Sequence, residues 1–456
     1  MAGDLATAGV LMSRRTLLAG VAGLTAASGL AATPGQAAPD SSAVSIPGNG
    51  VYPPGFLWGA ATAGHQVEGN NVNSDLWLLE NLKSTIFVER SGDAVDHYHR
   101  YAQDIALLAA LGFNSYRFSI EWSRIEPEPG LFSLAELDHY RRVLACCHEH
   151  GIAPVVTFIH VAAPRWFAAA GGWQNSSAPA LFARYCERAT KHLGDLIAVG
   201  CTINEPNIGK LLAQMPGVLD ASKIKNMLAD AAAACGSGSF VNYIFGDQDR
   251  ISAGLLRAHA AAAAAIKSAG FDFPVGVTLA MSDDQAVGTD SMRDRWRETL
   301  YGDWLRAASH DDFVGVQVYT RSRIGREGPL PNEKGVPVTQ VGLEFWPEAL
   351  GETIRYAYAQ TSKPIYVTEN GVATEDDSAR IQYIDRALAG LERCLKSGIP
   401  VKSYIHWSFI DNFEWMLGYR PRLGLVAVDR ATQLRTPKPS AHHLGRIAMS
   451  SGSRRT

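Results

Sequence analysis

Two glutamates occupy matching settings far apart in the chain: Glu205 in TINEPN (202–207) and Glu369 in IYVTENG (365–371). Each follows β-branched residues and is followed at once by turn formers, Pro206 in one case and Asn370-Gly371 in the other. β-Branched runs favour strands, and turn formers end them. Two carboxyl groups meeting in one pocket raise one of the two pKa values, so that one group stays protonated while the other is charged. Cleavage of a glycosidic bond needs such a pair: one carboxyl protonates the leaving oxygen, and the other attacks or activates water. Either glutamate alone would pass for a solvated residue or a salt-bridge partner; the pair points to chemistry.

Other polar residues stand in or just after similar apolar runs. Gln66 follows FLWGAAT (56–62), Arg117 lies in NSYRFSI (114–120), His160 closes APVVTFIH (153–160), and Asn204 closes AVGCTIN (198–204). Tyr319 closes FVGVQVY (313–319), and Trp407 lies in KSYIHWS (402–408). Arg117 in so apolar a context needs a carboxylate beside it, and such a partner lowers the carboxylate's pKa and keeps it ionised. Amides and carboxylates bind sugar hydroxyls, and an indole face stacks on a pyranose. Glu414 and Trp415 in FEW read either as site residues or as surface and packing residues. No metal site or cofactor is expected. His97 and His99 at i, i+2 do not share a helix face, no H-E-x-x-H is present, and the six cysteines match no zinc spacing. Most of those cysteines read as buried free thiols.

The elements that must position these groups follow from the runs. With PVGVTLA (274–280) and PIYVTEN (364–370) there are eight, continuous as strands buried on both faces should be. Segments of helical periodicity lie between them, among them 97–112, 137–151 and 253–270. Eight such units predict an α/β fold, a single-domain (β/α)8 TIM barrel. The alternative is an open doubly wound sheet, but GAATAGHQVEG after the first run is not a G-x-G-x-x-G opening a helix. Two long stretches, 206–250 and 320–348, break the alternation and read as loops on the face that carries the polar strand ends.

At 456 residues the chain exceeds the usual single domain, a length that barrels reach as one unit. A formal net charge of −3 without a basic run gives no footprint for nucleic acid. Arg14 and Arg15 precede a mild apolar run, and small residues around Ala37 and Ala38 suit a cleavage site. The expected organisation is a twin-arginine export leader (1–38), a flexible lead-in (39–52), the barrel (53–448) and a tail (449–456). The mature protein is then periplasmic or extracellular, with no stable membrane insertion.

The ordered series FLWGAATAGHQVEG (56–69), SGDAVDHYHRYAQDI (91–105), LGFNSYRFSIEWSRIEP (111–127), TINEP (202–206), VTENG (367–371) and WSFIDNFEWMLGYRPRLGLVAVD (407–429) resembles the family 1 glycoside hydrolases, the β-glucosidase family of retaining enzymes. The resemblance runs from about Phe56 to Ser440. It implies a retaining β-glycosidase, first of all a β-glucosidase, acting on a β-linked glycoside or small oligosaccharide; with the leader, the expectation is an exported enzyme. Glu205 would be the acid and then the base, and Glu369 the nucleophile. Asn204 would hold the sugar 2-OH, and Arg117 and Tyr319 would flank Glu369. Gln66, His160, Glu414 and Trp415 would hold hydroxyls, with Trp407 stacked beneath the ring. A retaining pair implies carboxyl groups about 5–5.5 Å apart. The alternatives are a transglycosylase of the same fold and a non-catalytic sugar-binding barrel. The chain departs from the family at Val161, Asn207, Gln317 and Val318, and in the loop 206–250, all bearing on the leaving-group side.

Overall fold

The computed structural model describes residues 51–215 and 219–451. The expected leader, most of the lead-in and the end of the tail lie outside the described residues. Eight parallel strands close into a barrel in sequence order. They are β1 (Leu57–Ala61), β2 (Ser115–Ser119), β3 (Ala153–Ile159), β4 (Val199–Asn204), β5 (Val275–Ala286), β6 (Phe313–Ile324), β7 (Ile365–Asn370) and β8 (Val401–Trp407). This is the expected (β/α)8 barrel, and the open sheet is excluded. Every residue of β2, β3 and β4 is buried, which is why these strands read as unbroken apolar runs.

The helices begin where polar caps allow. His97–Ala110 starts at the expected residue. Leu134–Glu149 starts three residues earlier than expected, because the Ser133 side chain accepts from Glu136 N. Gln248–Ser268 starts five earlier, where Asp247 accepts from the Asp249 and Arg250 amides. Tyr52, assigned to the lead-in from sequence, is buried and packs edge-on against Phe56 and Trp58.

Two expectations change. Tyr319 does not end its strand, because β5 and β6 continue past the barrel mouth as a pair, from Asp283↔Arg321 to Ala286↔Ile324. The backbones satisfy each other there, and Ser282–Ser322 (2.9 Å) and Arg321–Gln285 (3.1 Å) bonds tie the side chains. The first residues of the 320–348 stretch are therefore strand. Among its described residues the 206–250 stretch holds the helices Ile208–Ala213 and Ala221–Ala234, the latter capped by Asp220, and the start of Gln248–Ser268.

In parallel strands, in-register neighbours share a face. Ala61 pairs with both Arg117 and Trp407, and Arg117 pairs with Val155. That face points into the barrel. A small apolar cluster including Val155, Val199, Cys201, Phe313 and Ile405 fills the interior, with Trp407 at its edge. The polar residues sit on this packed floor, as the architecture places active sites at the C-terminal mouth.

Candidate active site

Glu369 at the end of β7 points into the barrel and is 3 % exposed. Its Oε1 accepts from Arg117 Nη1 and Gln317 Nε2, both at 2.6 Å, and its Oε2 accepts from the Tyr319 hydroxyl at 2.5 Å. Arg117 is wholly buried, and its Nη2 donates to Asn204 Oδ1 at 2.6 Å. Gln317 Nε2 also reaches Asn204 Oδ1, at 2.8 Å. The strand-two arginine thus has the carboxylate that its burial demands.

Asn204 is oriented by these two donors. With Oδ1 taken twice, its amide NH2 must point away from them, and no protein acceptor meets it among the described residues. The next residue, Glu205, leaves the strand with φ +43°. Its own N–H donates to Thr278 O at 2.8 Å. The Asn207 side chain then ties the turn to β5, donating to Ala280 O at 2.7 Å and accepting from Ala280 N at 3.1 Å.

The remaining expected residues line the same mouth. Gln66, in the turn Gly64–Val67 after β1, donates to Phe413 O at 2.7 Å and reaches Glu414 Oε2 at 3.5 Å. His160 stacks on Trp407 with centroids 5.4 Å apart and on Trp415 at 6.0 Å. Trp415 in turn lies parallel to His65 at 6.1 Å. Among the described residues, buried Gln66 Oε1, His160 Nδ1 and Gln317 Oε1 have no protein partner. Atoms of this kind are costly unless a ligand or water meets them.

The two carboxyls have unequal surroundings. Burial pushes Glu205 well above the usual carboxylate range, and the charge of Glu369 adds to it, with Arg117 opposing. Burial also raises Glu369, and Arg117 and Tyr319 pull it back only part of the way. The sequence expectation gave Arg117 the upper hand; burial outweighs it. The order survives, because three donors hold the Glu369 carboxylate while no protein hydrogen bond reaches the Glu205 carboxyl among the described residues. Glu414 is raised to about 8 by burial and by Glu369. His160 is held well below its ordinary value by burial and by Arg117, so its ring is neutral.

All ten residues singled out from sequence come together here. Gln317 was missed as a member of the site, and its pairing opposite Glu369 depends on an irregularity of register between Val316 and Gln317. Its alternation with Tyr319 was the available signal. One trio of possible metal ligands occurs among the described residues, Cys146, Glu149 and His150, and none of them belongs to the barrel mouth.

Over residues 49–298 and 305–453 the chain matches the model of Glycosyl hydrolase family 1. It is 30% identical over 453 residues to a beta-glucosidase of Agrobacterium sp., covering 90% of this chain and 96% of that one. Among solved structures, beta-glycosidase BGL167 superposes with a TM-score of 0.84 at 52% identity, over 88% of this chain and 97% of that one. The apo structure of a beta-glucosidase 1317 gives a TM-score of 0.84 at 50% identity, over 86% and 98%.

Proposed function

The chain belongs to glycosyl hydrolase family 1 and is an O-glycosyl hydrolase, and from that membership we propose that it is a retaining β-glucosidase with Glu369 as nucleophile and Glu205 as acid and then base. The contrast between the two carboxyls carries this reading: Glu369 is gripped by Arg117, Gln317 and Tyr319 in the geometry of an ionised group, while the half-buried Glu205 carboxyl has no protein hydrogen bond among the described residues and a pKa pushed up by desolvation and by the charge of Glu369, which favours its protonated form.

In the first step Glu369 attacks the anomeric carbon as Glu205 gives its proton to the leaving oxygen, and the C–O bond to the aglycone breaks. In the second step Glu205, now ionised, takes a proton from water. That water displaces Glu369 and restores the original anomeric configuration. The Asn204 amide faces the sugar 2-OH as a donor. Gln66 and Glu414 hold hydroxyls on the far side of the ring, with Trp407 below it. The beta-glucosidase relatives support glucose as the preferred sugar. Export by the leader 1–38 belongs to the same reading.

The test is a panel of aryl β-glycosides differing in one hydroxyl, with the first-formed anomer read by NMR. Fastest cleavage of the glucoside with β-glucose appearing first is expected. First-formed α-glucose overturns the mechanism, and preference for another sugar overturns the substrate.

A further inference from the structure

The grip on Glu369 is visible at its carboxylate, whereas Glu205 has to be positioned through its backbone. Its left-handed φ of +43° is unfavourable for a side-chain-bearing residue, and the following Pro206 restricts it further. Such a turn persists only where the surroundings impose it. The Thr278 and Asn207 bonds hold its β5 side.

The other side meets a segment that read from sequence as loop. Residues 240–245, FVNYIF, are neither helix nor strand, yet Phe240, Asn242, Tyr243, Ile244 and Phe245 are all buried. This strap is tied to two connections of the barrel mouth. Val241 N donates to Ala168 O at 3.0 Å, and Asn242 Nδ2 donates to Asp75 Oδ2 at 2.7 Å. Asp75 Oδ1 in turn accepts from Ala163 N at 3.0 Å, two residues past Val161. Gly172 makes room for the strap: a Cβ there would lie 2.4 Å from Val241 O. From this anchored segment the Tyr243 hydroxyl donates to the carbonyl oxygen of Asn204, the residue immediately before Glu205.

Resting on the reading of Glu205 as the acid, we propose that Tyr243 is a positioning residue for the acid/base turn, and that the FVNYIF strap fixes the direction in which Glu205 delivers its proton. Burial raises the Tyr243 phenol well above its ordinary value, and the neighbouring Glu205 charge raises it further, so the hydroxyl is a donor throughout the working range. Tyr243 itself needs no contact with substrate.

Tyr243→Phe keeps the ring and removes only the donor. Its kcat and KM are compared with the parent's on a dinitrophenyl β-glucoside, whose leaving group needs no proton, and on cellobiose, whose leaving group does. The expected result is a fall of roughly tenfold in kcat/KM on cellobiose, the rate equivalent of one ordinary hydrogen bond, with little change in kcat/KM on the activated glucoside, whose first step needs no proton; kcat on the activated glucoside reports the second step, in which Glu205 acts as base, and falls as well. The alkaline limb on cellobiose moves to lower pH, because a loosened turn admits water to a carboxyl held up by burial, Glu369 and Glu414 against Arg117. Equal lowering of kcat/KM on both substrates, or a lowered melting temperature with unchanged rates, overturns the proposal. Should Tyr243→Phe fail to fold, Asn242→Ser releases the strap with the hydroxyl in place; the same split supports the proposal and its absence overturns it. Glu205→Gln run alongside separates the two claims. Without a leaving-group split there, the acid assignment fails and this inference with it; a split there but not in Tyr243→Phe refutes Tyr243 alone.

Discussion

Tyr319→Phe tests the electrostatics of the nucleophile directly. The phenol donates to Glu369 Oε2 at 2.5 Å, while Arg117 and Gln317 occupy Oε1. The substitution therefore strips one carboxylate oxygen of its protein donor and leaves the other intact. A hydrogen bond to a charged group is worth about 1.5–3 kcal/mol. At about 1.4 kcal/mol per pH unit, its loss raises the pKa of Glu369 by about one to two units. Glu369 must be ionised to attack, and the lost donor favoured the ionised form. The acid limb of kcat/KM consequently moves to higher pH by about the same amount. The limb belongs to the coupled pair, so part of the shift is shared with Glu205. The assay is the pH profile of kcat/KM on an aryl β-glucoside for parent and variant. An acid limb that stays in place, or moves to lower pH, shows that Tyr319 does not hold the charged form and refutes the argument.

Glu369→Ala should abolish turnover, and azide should restore it with an inverted glycosyl azide product; near-normal activity without azide would remove Glu369 from the mechanism. Gly371→Ala places a Cβ 2.0 Å from Trp407 O, a backbone collision that should cost at least ~2 kcal/mol and show as a lowered melting temperature. Glu121 lies buried two residues past the end of β2, accepting from Ser119 and Asn71, with its pKa raised to about 7 by burial and by the charge of Glu68. Its folded pKa exceeds the ordinary value, so it stabilises the fold below the unfolded pKa, and that contribution is lost as pH rises towards about 7. Glu121→Gln should therefore narrow the gap in unfolding free energy between mildly acid and mildly alkaline buffer, by on the order of 1–3 kcal/mol, read by denaturant titration at both pH values; an unchanged gap contradicts the burial argument.

The barrel was legible because strands buried on both faces cannot hide a polar residue cheaply. Polar groups at the ends of apolar runs therefore marked the mouth, and Arg117 within one marked a buried ion pair. What escaped lacked that contrast. The outer parts of β5 and β6 carry Asp283, Asp284, Gln285 and Arg321, which pair with each other's backbone beyond the core and leave no apolar trace. Ala221–Ala234 is rich in alanine, which favours helix without drawing an apolar stripe. Gln317 was read as a departure from the family's asparagine; its contact with Glu369 depends on a register shift that no local pattern encodes. Tyr243 sits in a run with the composition of a strand that pairs with none.

The Asn-Glu-Pro and Glu-Asn-Gly motifs solve different problems. A regular strand sends successive side chains to opposite faces. On β7, whose pairing is irregular on both sides of Glu369, the adjacent pair still diverges: Glu369 faces the barrel, and Asn370 faces away, where it donates to Val318 O and accepts from the Tyr404 hydroxyl. On β4 the rule would send Glu205 outward once Asn204 faces Arg117. The left-handed backbone at Glu205 breaks the alternation. That kink is how neighbouring residues both come to serve one mouth, with the Asn204 amide and the Glu205 carboxyl on the same side. Clamps hold that kink: Asn207 is bonded twice to Ala280, and Tyr243 donates to the Asn204 carbonyl. The nucleophile is held through the donors on its carboxylate, whereas an acid on a left-handed turn needs its backbone held.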